Sequence, residues 1–206
     1  MALDRMRTVV LAGGLLVALA LVVVLGIETR SLRAAYQDLG NRAREPHAGI
    51  FVPTFRAAAL RGDSLTVGEM RGSGRQVVFV LTTTCPYCRA SLPAWRKITS
   101  DADTVRSTHV EVLGISWDSI EPTRRYAADH GLRFPIVRFP ERKLGVLYRA
   151  RAVPVTIVLD SMGRVLFGHV GVLTDALARD SVWPAIRFRP TPPAKTGGKD
   201  SVTRGP

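Results

Sequence analysis

Cysteine is scarce in this sequence, which has only Cys85 and Cys88 in 206 residues. So few cysteines exclude a secreted scaffold stapled by disulfides, and the fold must be stabilised by its apolar residues, which are 46% of the chain. A zinc site within one chain usually needs four closely paired ligands. Here one Cys-x-x-Cys is joined only by scattered histidines: His47, His109, His130 and His169. We therefore expect no metal site within one chain, and a site shared by two chains stays open.

Acidic residues are also few, 17 against 29 lysines and arginines, which gives a net charge of +12. An excess of positive charge raises the question of nucleic-acid binding. The arginines are spread along the chain, however, and no basic run is interleaved with aromatic residues. We expect no nucleic-acid partner, and a basic surface that favours anionic headgroups or acidic partners.

Charge is absent from residues 9–27, an apolar run of nineteen residues. At about 1.5 Å per residue, such a helix spans roughly 28 Å, close to the hydrocarbon thickness of a bilayer. A cleaved signal peptide would have a shorter apolar region and a small-residue exit, which this segment lacks. The sequence predicts a short N-terminal segment at 1–8 and an uncleaved transmembrane anchor at 9–27. Because arginines lie on both flanks, charge alone leaves the orientation open.

Two polar regions flank the remaining domain. Apolar residues recur at helical spacing from Leu32 to Ala43, and Pro46 follows, so residues 28–49 are predicted to form a helical stalk or linker. Residues 189–206 are rich in proline, glycine and lysine, too polar to order themselves, and are predicted to form a disordered tail. One domain is therefore expected at 50–188.

Strand and helix patterns alternate through this domain. Phe55–Leu60 and Ser64–Val67 flank a glycine turn and predict a β-hairpin. The apolar run at 76–81 predicts a strand buried on both faces, and the cysteines and a helix follow it directly. Further strands are predicted at 109–116, 134–137, 156–160 and 164–170, and helices at 121–130, at 142–148 and after the N-cap Thr174. The core order is β-α-β-α-β-β-α, typical of an α/β domain.

The cysteine pair occupies the junction between the buried strand and the helix. Cys85 falls at the helix start, where unpaired backbone N–H groups and the helix dipole favour a thiolate, and Arg89 lies one turn further on. Pro86 fits the first helical turn because it has no N–H to leave unpaired. Cys88 lies one turn later on the same face. We expect Cys85 to attack a substrate disulfide and Cys88 to resolve the mixed disulfide, rather than two inert core thiols.

A second part of the site is predicted at residues 152–160, "AVPVTIVLD". If the bond before Pro154 were cis, the proline would face the cysteines and leave the Val153 backbone free to pair with an extended substrate. From the local sequence alone, a trans proline that opens a strand remains an alternative.

These stretches together resemble the thioredoxin superfamily, and in particular its membrane-anchored TlpA/ResA-like branch. The similarity covers roughly residues 50–175 and includes "VPTF" (52–55), "QVVFVLTTTCPYCRASLP" (76–93), "VLGISWD" (112–118) and "VPVTIVLDSMGRV" (153–165). It implies a thioredoxin-like α/β fold, a central mixed β-sheet flanked by helices, with the hairpin as an N-terminal extension.

The resemblance also implies roles for the site residues. Cys85 would be the nucleophile, Cys88 the resolving thiol and Pro154 the cis-proline, with Pro86, Tyr87 and Val153 contacting substrate and Arg89 stabilising the thiolate. The redox-active disulfide would be the only cofactor. The domain would face the periplasm from the inner membrane and exchange disulfides of exported proteins, apocytochrome c among them, recharged by a membrane electron donor.

Three positions depart from the family pattern. Phe79 and Ser91 stand where relatives carry a buried acid that helps the resolving thiol lose its proton, and Thr84 replaces a tryptophan. The Pro-Tyr dipeptide between the cysteines is more similar to glutaredoxin, which indicates a more oxidising couple than thioredoxin's. We therefore expect a mild exchanger with slow deprotonation of Cys88.

Two other functions compete. Thr82-x-x-Cys85 is similar to the peroxiredoxin pattern and would make Cys85 a peroxidatic thiol, although Val78 replaces the proline expected there. A membrane-tethered copper carrier is the non-enzymatic alternative, with His169 as its candidate third ligand.

Overall fold

The computed structural model describes residues 2–70, 72–102, 104 and 109–187. The predicted tail at 189–206 lies outside these residues. A single helix, α1 (Ala2–Arg44), contains both the predicted anchor and most of the predicted stalk. Its stretch Gly13–Arg33 has a mean hydropathy of 2.1 and is long and apolar enough to cross a membrane. The helix fits a single-pass membrane protein.

The segment after α1 attaches to the domain. The Gly49 N–H donates to the Val165 carbonyl at 2.8 Å, and the Val165 N–H donates to the Ile50 carbonyl at 2.8 Å. Arg149 donates to the Glu45 carbonyl at 3.3 Å, at the end of the helix. The connection between helix and domain is therefore hydrogen-bonded to the domain at both of its ends.

The N-terminal hairpin is present as predicted. Strands β1 (Phe55–Ala58) and β2 (Ser64–Val67) pair antiparallel. The predicted first strand is two residues too long, because Ala59 leaves the hairpin ladder to form an isolated bridge with Val137, and the turn begins at Leu60. Gly62 has a φ of +99° in this turn, a conformation that glycine adopts without strain.

The central sheet has five strands in the order β5-β4-β3-β6-β7. They are β3 (Arg75–Leu81), β4 (Val110–Ser116), β5 (Ile136–Arg138), β6 (Val155–Leu159) and β7 (Val165–Val170). Strands β3, β4 and β5 are parallel, whereas β6 is antiparallel to both β3 and β7. All seven β3 residues are buried, as expected for an apolar central strand. The predicted mixed sheet is confirmed.

Helices cover both faces of this sheet. They are α2 (Pro86–Ala102), α3 (Ile120–Asp129), α4 (Arg142–Leu147) and a C-terminal helix formed by α5 (Asp175–Leu177), a π turn (Ala178–Val182) and α6 (Trp183–Arg187). Thr174 caps the last helix as predicted, accepting from the Leu177 N–H at 3.2 Å. The π turn ends two residues before Pro184, which cannot donate a helical hydrogen bond.

Alternate side chains of β3 enter two separate cores. Val77, Phe79 and Leu81 pack with α2, α3 and the C-terminal helix on one face. Val78 and Val80 pack on the other face with the hairpin and the residues that follow α4. The strand that ends at the cysteine loop is thus fixed from both sides.

A buried glutamine joins the hairpin to the sheet. The Gln76 side chain accepts from the Gly68 N–H at 2.8 Å. Its amide donates to the Thr66 carbonyl at 3.0 Å and to the Glu111 carboxylate at 2.9 Å. Gln76 is fully buried, so these bonds replace the water that its amide gave up.

Replacing Gln76 by leucine should therefore destabilise the protein. Two hairpin backbone groups would lose their partners, and we expect a loss of about 2–4 kcal/mol in the free energy of unfolding, measured by urea denaturation in detergent. Glu111→Gln keeps an acceptor for the Gln76 amide and should cost less than about 1 kcal/mol. Equal stability of the two variants would contradict this role of Gln76.

Candidate active site

Cys85 occupies the N-cap position of α2. Its carbonyl accepts the helical hydrogen bond from the Arg89 N–H at 3.3 Å. Its sulfur accepts from the Cys88 N–H at 3.2 Å, the bond that a serine or aspartate oxygen makes at other helix starts. The side chain is half-buried, and both cysteines are free thiols. The sulfur therefore accepts from a backbone donor at the positive end of the helix while remaining accessible.

Cys88 lies behind it with no exposed surface, in the core that contains Phe79 and Trp95. Burial raises the pKa of the Cys88 thiol to about 12, and the backbone hydrogen bond from Thr82 opposes this only in part. The two sulfurs thus occupy different environments. One is half-exposed at the helix start, and the other is buried and held in its neutral form.

The Val153–Pro154 bond is cis. This segment faces the cysteines, since the Cys85 thiol lies 3.7 Å from the Val153 carbonyl oxygen. The Pro154 carbonyl accepts from the Gly171 N–H at 2.9 Å. Among the described residues the Val153 N–H has no hydrogen-bond partner. A backbone donor next to the sulfur is therefore free to bind an added strand.

The other predicted site residues lie on the surface around Cys85. Pro86 and Tyr87 are exposed, and Tyr87 has 64% of its surface accessible. Arg89 is exposed one turn into the helix, and its contact with Cys85 is the backbone hydrogen bond given above. Burial raises the pKa of the Tyr126 hydroxyl, and the nearby Arg89 guanidinium opposes this rise only in part.

The resemblance implied a buried acid at two positions, where this chain has Phe79 and Ser91. The Phe79 ring stacks on Trp95 with 4.9 Å between ring centroids. The Ser91 hydroxyl donates to the Tyr87 carbonyl and accepts from the Leu173 N–H, both at 3.0 Å. No aspartate or glutamate is buried in the described part of the chain. Cys88 therefore has no buried carboxylate beside it there.

Two residues near the site were missed by the sequence analysis. Asp118 follows β4 and accepts from the Thr83 N–H at 2.6 Å, which fixes the loop between β3 and α2. Tyr126 on α3 has a buried hydroxyl without a hydrogen-bond partner in the described residues. Burial raises the pKa of this hydroxyl, and the Cys88 and Cys85 sulfurs act in the same direction. Asp118 could have been found from its place just after a predicted strand, whereas the helical pattern at 121–130 gives no such signal for Tyr126.

The residues of the two competing functions lie as follows. Thr82 directly follows β3, and its carbonyl accepts from the Cys85 N–H at 3.5 Å. A His169 ring nitrogen lies 3.3 Å from the Val172 carbonyl oxygen. Across the described residues, no group of three or more His, Cys, Asp or Glu side chains is placed to hold a metal ion.

Comparison with known sequences gives the family. Residues 48–167 match the AhpC/TSA family. The thiol-disulfide oxidoreductase ResA of Halalkalibacterium halodurans is 28% identical over 136 residues, which are 65% of this chain and 74% of ResA. The thiol:disulfide interchange protein HelX of Rhodobacter capsulatus is 25% identical over 176 residues, 83% of this chain and 95% of HelX.

Solved structures give the same fold. The thioredoxin domain of a thiol-disulfide oxidoreductase from Bacteroides vulgatus superposes with a TM-score of 0.58 at 17% identity, over 68% of this chain and 99% of that chain. The predicted thioredoxin-like fold and the resemblance to the TlpA/ResA-like branch are confirmed. The chain belongs to the AhpC/TSA family of the thioredoxin superfamily and is a thiol-disulfide oxidoreductase.

Proposed function

We propose that Cys85 and Cys88 are the redox pair of this oxidoreductase and that it exchanges disulfides of exported proteins. The observation that carries the proposal is the contrast between the two sulfurs. The Cys85 sulfur is half-exposed and accepts from the Cys88 N–H at 3.2 Å, whereas Cys88 is fully buried. Only the first can meet a protein disulfide, and the second lies one turn behind it.

The exchange then proceeds in two steps. The Cys85 thiolate attacks one substrate sulfur, the substrate S–S bond breaks, and the other substrate sulfur leaves as a thiolate that takes up a proton. The Cys88 thiol loses its proton and attacks the Cys85 sulfur, which releases the second substrate thiol. The substrate gains two electrons, and the protein is left with a Cys85–Cys88 disulfide, without any other cofactor.

Substrate binding is assigned to the surface around Cys85. The Val153 N–H lacks an internal partner among the described residues, and it supports pairing with an extended substrate backbone. Pro86 and Tyr87 border the sulfur and offer exposed apolar contact. Arg89 supplies positive charge on the first turn of α2, which favours the thiolate form of Cys85.

The partners and the side of the membrane follow from the same proposal. The domain after the apolar helix faces the periplasm or its equivalent, where protein disulfides form and persist. Its substrates are exported thiol and disulfide proteins, apocytochrome c among them. A membrane electron donor returns the Cys85–Cys88 disulfide to the dithiol.

Peroxide reduction is the second candidate, favoured by the match to the AhpC/TSA family and by Thr82-x-x-Cys85. It would need Cys85 alone for the attack. Peroxide consumption that survives Cys88→Ser, with no reduction of a protein disulfide by the wild type, would assign this function instead.

Cys88→Ser should trap substrates on Cys85. Without the resolving thiol the mixed disulfide has no internal route to release, so we expect adducts in the native membrane that disappear on adding dithiothreitol. The measurement is non-reducing electrophoresis followed by mass spectrometry. Cys85→Ser is the matched control and should give no adduct. Equal trapping by both variants would contradict the assigned order of attack.

Release of the mixed disulfide should accelerate with pH. The pKa of Cys88 is raised to about 12 by burial, so its thiolate fraction grows about tenfold per pH unit over the whole range below that value. We expect this slope from about pH 6 to about pH 9 in single-turnover release of a fluorescent peptide. A rate independent of pH over that range would show that Cys88 deprotonation does not limit resolution. Cys88→Ser should show no release at any of these pH values.

The couple should be less reducing than thioredoxin. The Pro-Tyr dipeptide predicts a potential nearer the glutaredoxin range, about −200 to −230 mV, than the value of about −270 mV for thioredoxin. Equilibration with glutathione buffers and alkylation of free thiols measures it. A reduction potential at or below about −270 mV would refute the proposal that the protein is a mild exchanger.

A further inference from the structure

A cleft of about 600 Å³ adjoins the cysteines. Thr82 and Val153 line the side of the cleft next to Cys85. The Thr82 carbonyl accepts from the Cys85 N–H at 3.5 Å, and the Val153 carbonyl oxygen lies 3.7 Å from the Cys85 sulfur. The cleft lies at the carboxyl ends of the parallel strands β3, β4 and β5, the edge where open α/β sheets place their ligands. A substrate segment next to its attacked disulfide would enter this cleft.

The floor of the cleft is apolar and fixed in shape. Trp117 and Phe139 pack with 4.7 Å between ring centroids, and the Trp117 indole N–H donates to the Ala150 carbonyl at 3.2 Å. Helix α4 lies directly on the indole, where a Cβ at Gly145 would come within 1.9 Å of it. Val146 from the same helix completes the lining. The floor is therefore preformed.

The rim is positively charged. Arg138, Arg142 and Arg151 line the cleft, and all three are exposed. Within the described part of the chain none of them has a salt bridge or a side-chain hydrogen bond. No described aspartate or glutamate lines the cleft. Three unneutralised guanidinium groups around an apolar floor match carboxylates better than any other protein side chain.

We propose that this cleft selects substrates whose disulfide is flanked by acidic residues. The occupant is an extended protein segment that pairs with the Val153 backbone and places carboxylates against Arg138, Arg142 and Arg151. The proposal rests on the proposed function, since it names the substrate class of the same site. Charge complementarity of this kind governs encounter and register more than total affinity.

The test compares three oxidised peptides of equal length, with a central disulfide flanked by Glu-Glu, Gln-Gln or Lys-Lys. Full-length reduced protein in neutral detergent should reduce the acidic peptide with a kcat/KM about five- to tenfold above that of the neutral one, as expected for two partly exposed ion pairs. The basic peptide should be slowest. The preference should shrink at about 0.5 M salt, because exposed charges are screened there.

Matched variants distinguish an effect of the cleft arginines from an effect of the overall charge of the protein. In Arg138→Gln/Arg142→Gln/Arg151→Gln the acidic and neutral peptides should react at equal rates. The control Arg61→Gln/Arg133→Gln/Arg164→Gln removes the same number of charges from exposed positions outside the cleft and should keep the preference. Equal loss in both triple variants would assign the effect to net charge and overturn the proposal.

The remaining outcomes distinguish the two proposals. If no peptide is reduced, the proposed function fails and this inference fails with it. If the wild type reduces all three at one rate, only the inference fails. Loss of the preference in nanodiscs of anionic lipid, with retention in neutral lipid, would assign the cleft to headgroups and overturn a protein occupant.

Discussion

The arrangement of the two cysteines depends on one hydrogen bond, from the Cys88 N–H to the Cys85 sulfur at 3.2 Å. It uses an N–H group that the helix itself cannot satisfy, so a sulfur takes the place of the usual capping oxygen. The same bond fixes the spacing of the pair, because the donor of the cap is the residue that carries the second thiol. One hydrogen bond therefore both caps the helix and holds the two cysteines together.

Strand β3 holds the start of this helix in place. Its side chains are anchored in separate cores on the two faces of the sheet, so its carboxyl end has little freedom. Asp118, at the end of β4, then holds the Thr83 N–H at 2.6 Å and sets the path of the loop into α2. The cis Val153–Pro154 segment approaches from β6, on the other side of β3. Three neighbouring strands thus position one sulfur.

The sequence predicted what short-range patterns determine. The buried run of β3, the hairpin turn at Gly62 and the cap at Thr174 each follow from a few adjacent residues. The cysteine pair could be placed at a helix start for the same reason. By contrast, the bond from Thr83 to Asp118 joins residues 35 positions apart, and the arginines of the cleft come from β5, α4 and the loop before β6. The proximity of such groups can be predicted only when the strand order is known, and no local sequence pattern encodes that order.

Under the proposed function, burial of Cys88 affects the second step of the exchange, in which Cys88 must lose its proton. Phe79 and Ser91 leave the resolving thiol in an apolar core, where its ionised form is disfavoured. Cys85, by contrast, is half-exposed, and its sulfur accepts a hydrogen bond from the Cys88 N–H. A mixed disulfide that Cys88 resolves slowly would persist, and the substrate would have to stay docked meanwhile. A preformed charged cleft beside the sulfur suits an exchanger of this kind, because its contacts act throughout the lifetime of that covalent intermediate.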